Sequence, residues 1–208
     1  PVAGGERERL LGLVAAHVLE HGVTSLTLRG VAGAVGSNNR MLLYYFGSKE
    51  ALVGEALRAV GEERFPGFAT AWSALERGRG PLRQDLQRVW SAIAAPEHLP
   101  FLRLFFEVFG QAARGDERWR GVLGDIGDWQ RPAAVRFARE GLAPRVAQAR
   151  ATELVALWRG LQMTLLITGA GGAAERERRR AVEEVQRAAL DAFCARLPGA
   201  AGPVAGEG

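Results

Sequence analysis

Seven side chains between positions 29 and 49 carry groups suited to nucleic acid: Arg29, Asn38, Asn39, Arg40, Tyr44, Tyr45 and Lys49. Arginine pairs bidentately with guanine O6 and N7, and asparagine with adenine N6 and N7. Tyrosine hydroxyls and lysine ammonium groups reach phosphate oxygens. Asn39 and Arg40 are therefore the candidates for base contact, and Tyr44, Tyr45 and Lys49 for phosphate, with Arg29 as a further candidate. The competing reading makes Tyr44 or Tyr45 an ordinary packing residue.

A second set is aromatic: Trp72, Trp90, Phe105, Phe109, Trp129 and Trp158, with Met163 and Gln162 nearby in sequence. Such side chains line ligand pockets, but any helical core also needs them. Asp125, Asp128, Glu107 and Gln111 are polar groups that would join Gln162 in a pocket. Other chemistry is poorly represented. His17 and His21 stand at i and i+4 without a third metal ligand, which fits ordinary helix histidines, and His98 reads as a loop residue between prolines. The lone Cys194 excludes an intrachain disulfide and reads as a buried, inert thiol. No G-x-S-x-G, H-E-x-x-H or D-D-x-x-D pattern occurs, and residues from Phe68 onward hold no G-x-G-x-x-G or P-loop. The sequence points away from an enzyme and implies no metal and no cofactor.

The elements that would position the first set are short helices. Thr27 is a helix N-cap followed by Leu28, Val31, Ala32 and Val35 at helical spacing, and Gly36 ends the run. Ser37 or Asn38 caps the next helix, whose apolar face is expected to be Leu42, Leu43 and Phe46. This is helix-turn-helix grammar. A first helix over 6–21 braces the pair after a loose end at 1–5, and Ser48 caps a fourth that runs to about Arg64. A helix N-terminus there would itself favour phosphate.

Pro66 and Gly67 break the pattern and mark a domain boundary: 1–64 as the DNA-binding module and 65–198 as a larger helical domain. An apolar helix is expected over 101–113, a long helix or a pair bent near Pro132 over 119–139, and two long helices over 145–168 and 175–197. Their apolar faces, around Leu161, Leu165, Val185 and Phe193, suit an intermolecular four-helix bundle, hence a homodimer. The Ala-, Gly- and Pro-rich tail at 199–208 reads as disordered. Throughout, the fold class is all-α.

The 208 residues carry a net charge of +4, and only one of the 27 basic residues is lysine. Within residues 1–60 six basic residues face five acidic ones, so no polybasic arm is present and DNA contacts must come from placed side chains. No signal peptide is visible and no apolar run reaches the length of a membrane span, which gives the expectation of a cytoplasmic protein without a membrane partner.

The stretch Thr27-Leu28-Arg29-Gly30-Val31-Ala32, then Gly36, then Leu42-Leu43-Tyr44-Tyr45-Phe46-Gly47-Ser48-Lys49-Glu50-Ala51-Leu52 resembles the tetracycline-repressor (TetR) family of bacterial transcriptional regulators. The resemblance covers about the first 60 residues. Arg40 stands where the family usually has a small residue, Leu43 where it has its first Tyr, and Gly30 where an acidic residue is common. The resemblance implies backbone contacts at Tyr45 and Lys49, and an inducer site for a small apolar or amphipathic effector in the second domain. It implies a ligand-responsive repressor that binds a palindromic operator in double-stranded DNA as a dimer. Two alternatives stay open: a helical protein-interaction module, and an all-α enzyme with a hydrophobic substrate tunnel.

Overall fold

The computed structural model describes residues 2–61, 66–126, 129–167 and 172–197. Among these every regular element is helical: α1 (Val2–His21), α2 (Leu28–Ala34), α3 (Asn39–Phe46), α4 (Lys49–Ala59), α5 (Pro66–Arg77), α6 (Leu82–Ile93), α7 (Leu99–Ala113), α8 (Glu117–Ile126), α9 (Gln130–Arg139), α10 (Pro144–Leu166) and α11 (Ala173–Ala195). A 3-10 turn, Pro96–His98, leads into α7. The expected tail at 199–208 lies outside the described residues.

Proline placement explains several boundaries. Pro66, Pro100, Pro132 and Pro144 all fall in the first turn of a helix, where a missing N–H costs nothing. Pro66 therefore opens α5, and the stretch around Pro132 is a pair of helices. Within the expected loose end, residues 2–5 are helical, because α1 already begins at Val2. His98 is also not a loop residue: it is buried in the 3-10 turn.

The helices form two compact units. The first holds 1–66 together with 96–127 and so takes in α7 and α8, beyond the 1–64 module marked by the proline break. The reason is apolar surface. α1 and α4 offer more than α2 and α3 cover, and α7 packs on α1 while α8 packs on α4 and α7. Leu10, Val14, Leu52, Leu57, Leu102, Val108 and Val122 fill the interior. Gly54 faces α8, where a Cβ would meet Val122 at 3.5 Å, an ordinary packing distance.

The second unit holds 67–95 and 128–208. α10 packs on α9 and α11, and α11 on α6, around Leu86, Val89, Phe137, Leu154, Trp158 and Leu190. A buried cation ties α9 to the turn before α6. Arg136 pairs with Asp85 (3.4 Å) and Glu140, and it donates to the Gly80 carbonyl at 2.6 Å. That pairing satisfies a charge which alone would be costly to bury.

Candidate functional site

The α2–turn–α3 segment is fixed at every joint by its own sequence. Thr27 Oγ1 accepts the Gly30 N–H at 3.1 Å and starts α2. Gly36, at φ +66°, ends it: its N–H reaches the Gly33 carbonyl (3.3 Å), and the Ser37 N–H reaches Ala32 (2.8 Å). This is a Schellman closure, which favours glycine at the left-handed position. Asn38 Oδ1 then accepts the Met41 N–H at 3.0 Å and starts α3, and Ser48 Oγ accepts from Ala51 to start α4. Of the two capping candidates, Asn38 is the one used.

Leu42 and Phe46, one turn apart, are the inward face of α3. Leu43 is not part of it. It lies outside, 44% exposed, because it follows Leu42 by about 100° around the helix. The outer face consists of Asn39 and Leu43 beside Arg40 and Tyr44, two i,i+4 pairs, with Tyr44 76% exposed. Met41 and Tyr45 are half-buried at its margin, and the rings of Tyr44 and Tyr45 meet edge-on at 5.1 Å. Arg29 is exposed on α2. Among the described residues Arg40 makes no ion pair, whereas Lys49 is engaged. Its Nζ donates to the Leu26 carbonyl (3.4 Å) and stands 3.9 Å from the Glu50 carboxylate and 5.7 Å from the Trp119 ring centre.

Spacing gave no sign of a further brace. Glu107 on α7 accepts the Val23 N–H at 2.7 Å and the Thr24 hydroxyl at 3.3 Å, so a carboxylate more than eighty residues away holds the turn that feeds α2. Glu107 is thus placed in the first unit, bound to the Val23–Thr24 turn.

In the second unit Trp72, Ile93, Trp129, Val155, Trp158, Arg159 and Gln162 enclose a narrow cavity. As it stands it admits about one water molecule. Trp158 meets Trp72 edge-on at 5.8 Å and is backed by Trp90 at 6.2 Å. The Arg159 guanidinium lies 3.7 Å over the Trp129 ring and donates to Gln162 Oε1 at 2.8 Å, while Gln162 Nε2 donates to the Ile93 carbonyl at 3.4 Å. Burial pulls Arg159 down to about 9, so it stays charged at neutral pH but has lost much of its hydration. The indole N–H groups of Trp72 and Trp158 are buried without a hydrogen-bond partner.

Trp72, Trp90, Trp129, Trp158 and Gln162 are thus brought together within the second unit, and Phe105 and Phe109 belong to the first. Those two stand on α7 in the first unit, their rings 6.5 Å apart, because α7 packs with α1 and α8. Asp128 lies outside the described residues, as does the side chain of Asp125.

On the last two helices Leu165 and Phe193 are buried within the chain, Phe193 against Phe137 at 5.5 Å, so neither is available to a second copy. Leu161 is half-buried. Val185 is 54% exposed, and Met163 and Ile167 are exposed with it. His17 and His21 stack on each other at 4.4 Å, and among the described residues no three His, Cys, Asp or Glu side chains gather as metal ligands. Cys194 is half-buried and its thiol is raised by that burial. No described helix is long and apolar enough to cross a membrane.

No family model and no curated protein matches the sequence. Solved structures do match. A protein from Rhodococcus sp. assigned to the TetR family of transcriptional regulators superposes with a TM-score of 0.63 at 20% identity, over 90% of this chain and 97% of that one. Salmonella enterica GusR gives 0.64 at 19% identity, over 90% and 94%. The multidrug-binding protein EbrR, complexed with proflavin, gives 0.56 at 22% identity, over 86% and 98%. The chain has the TetR-family fold. In that fold α1–α4 are the helix-turn-helix end, with α3 as the second helix of the motif. The resemblance seen in the first 60 residues extends in fold over nine-tenths of the chain.

Proposed function

We propose that the chain is a DNA-binding transcriptional regulator of TetR type, a homodimeric repressor released from a palindromic operator by a small effector. The observation that carries this is the outer face of α3: Asn39, Arg40, Leu43 and Tyr44, exposed on a helix capped at both ends within a TetR-type fold. Arg40 reads guanine and Asn39 adenine, and the exposed Leu43 meets a thymine methyl. Tyr44, Tyr45 and Arg29 reach phosphates. Asn38, its Oδ1 committed to the cap, offers only its amide N–H groups to DNA. Lys49 serves mainly as a brace and adds a positive charge behind α3.

Two copies of α3 must lie about 34–36 Å apart to enter successive major grooves. The exposed Met163 on α10, Ile167 at its C-terminal cap and Val185 on α11 supply the dimer surface, and an obligate interface of this kind buries about 2,000 Å² or more. The tryptophan-lined cavity of the second unit is the effector site, a reading supported by the proflavin complex of EbrR. Such a protein works in the cytoplasm, where its operator lies.

Selection of duplexes from a random pool, followed by gel shift at two salt concentrations, tests the proposal. Expected is a palindromic consensus whose affinity falls steeply with salt, by about 10³-fold or more between 50 and 200 mM for six or more phosphate contacts. Failure to enrich any duplex would sink it and leave the exposed Leu43–Tyr44 pair as a protein-docking surface.

A further inference from the structure

α2 has seven residues and buries Val31 and Ala32, so its own hydrogen bonds are too few to hold it in place. Its direction is set where the chain enters it. There the Gly22 N–H still reaches the Val18 carbonyl and closes α1. The next N–H, that of Val23, goes to the Glu107 carboxylate of α7 at 2.7 Å, and the Thr24 hydroxyl follows at 3.3 Å. A bond to an ionised acceptor is the stronger kind. The carboxylate also lies close against the chain, since a Cβ on Gly22 would stand 2.5 Å from its Oε2. Among the described residues Glu107 makes no ion pair, so no cation draws it away from the turn. The other side-chain hold on this turn, from Lys49 Nζ to the Leu26 carbonyl, is longer at 3.4 Å.

We propose that Glu107 is a positioning residue for DNA binding: by fixing the Val23–Thr24 turn it holds α2, and with it the outer face of α3, in the arrangement that meets the duplex. The DNA part rests on the regulator reading above; the fixing of α2 does not. α3 follows α2 because the Gly36 closure and the Asn38 cap fix the joint between them. A loosened entry turn leaves the chain folded but puts α3 out of place for part of the time. The apparent affinity then falls in proportion to the competent fraction, while every contact to DNA keeps its chemistry.

Three substitutions separate the acceptor from charge and volume. Glu107→Gln keeps a carbonyl oxygen for the Val23 N–H, Glu107→Met fills similar space without an acceptor, and Glu107→Ala removes both. Each intact variant is titrated by fluorescence anisotropy with the duplex that the wild type selects from a random pool, at a temperature where circular dichroism shows it folded. Glu107→Met and Glu107→Ala should bind about tenfold or more weakly, and Glu107→Gln within about twofold of wild type. The salt dependence should be the same in all, because no phosphate contact is lost. A merely structural role would lower the active fraction, counted by stoichiometric titration, and spare the affinity of the active molecules. Native-state hydrogen exchange reads the turn without DNA: the amides of Val23 and α2 should exchange about tenfold faster in Glu107→Met than in Glu107→Gln, with those of α10 alike. Wild-type affinity in Glu107→Met, an equal loss in Glu107→Gln, or α2 amides that exchange alike in all variants would overturn the proposal. Failure to select any duplex removes the regulator reading alone, and the exchange comparison then decides whether Glu107 fixes α2.

Discussion

Gly22→Ala should be among the most damaging single-methyl changes in the first unit, and its cost has two separable parts. Gly22 sits at φ +74° just past the end of α1, a conformation that disfavours an L side chain by about 1–2 kcal/mol. A Cβ there would also stand 2.5 Å from Glu107 Oε2 and 2.7 Å from Oε1. The carboxylate must move, and with it goes the 2.7 Å bond to the buried Val23 N–H. A hydrogen bond to a charged group contributes about 1.5–3 kcal/mol. Together the losses come to about 2.5–5 kcal/mol. In a Glu107→Ala background the carboxylate is already gone, so the same change should cost only the backbone part, about 1–2 kcal/mol. Urea denaturation of the two single variants and the double variant, followed by circular dichroism at one protein concentration, measures the cycle. A coupling of about 1.5–3 kcal/mol is expected. Strict additivity would refute the claim that Gly22 is required by Glu107, and would reduce Gly22 to an ordinary helix stop.

Arg40→Ala should leave the fold and the dimer intact and relax preference at one symmetric G·C pair per half-site, a discrimination of about 1–3 kcal/mol; an unchanged selected-site profile assigns Arg40 to phosphate. Val185→Arg should weaken the dimer by about tenfold or more without unfolding the chain, as read by sedimentation equilibrium, since Val185 is exposed and part of the proposed interface. Phe193→Ala should instead cost about 3–5 kcal/mol of stability by leaving a cavity beside Phe137, and a calorimetric scan showing no loss would place Phe193 outside the core.

Local rules made the helix-turn-helix legible. Thr27, Gly36, Asn38 and Ser48 each act within a few residues of their own position, so spacing alone locates α2, α3 and the start of α4. Which face of a helix meets which neighbour is not local information. Leu43 and Phe193 are both apolar and both fit a helical stripe, yet one is exposed and the other buried. The difference comes from Phe137, more than fifty residues from Phe193, and from the rotation of α3 about Leu42 and Phe46. The extent of the first unit was hidden for the same reason: the apolar run of α7 shows that it is buried, but not that α8 and α1 are what bury it. Phe105 and Phe109 joined the pocket candidates by composition, which does not tell that their helix belongs to the first unit. Lys49 reads as a phosphate ligand by charge, whereas the Leu26 carbonyl and the Trp119 ring show what else occupies it.

The closed state of the cavity bears on how an effector could act. A ligand shifts a two-state equilibrium only by its difference in affinity for the two states, and a swing from 1:99 to 99:1 needs about 5.5 kcal/mol. A ligand of micromolar affinity has about 8 kcal/mol in total, so well over half must be differential. An open, preformed pocket would bind in both states and use most of that affinity without shifting anything. On the proposed effector reading, a slot that admits about one water cannot take a ring-sized ligand until the Arg159–Trp129 stack parts. Nearly all of the ligand's affinity, less the energy needed to part that stack, then distinguishes the two states.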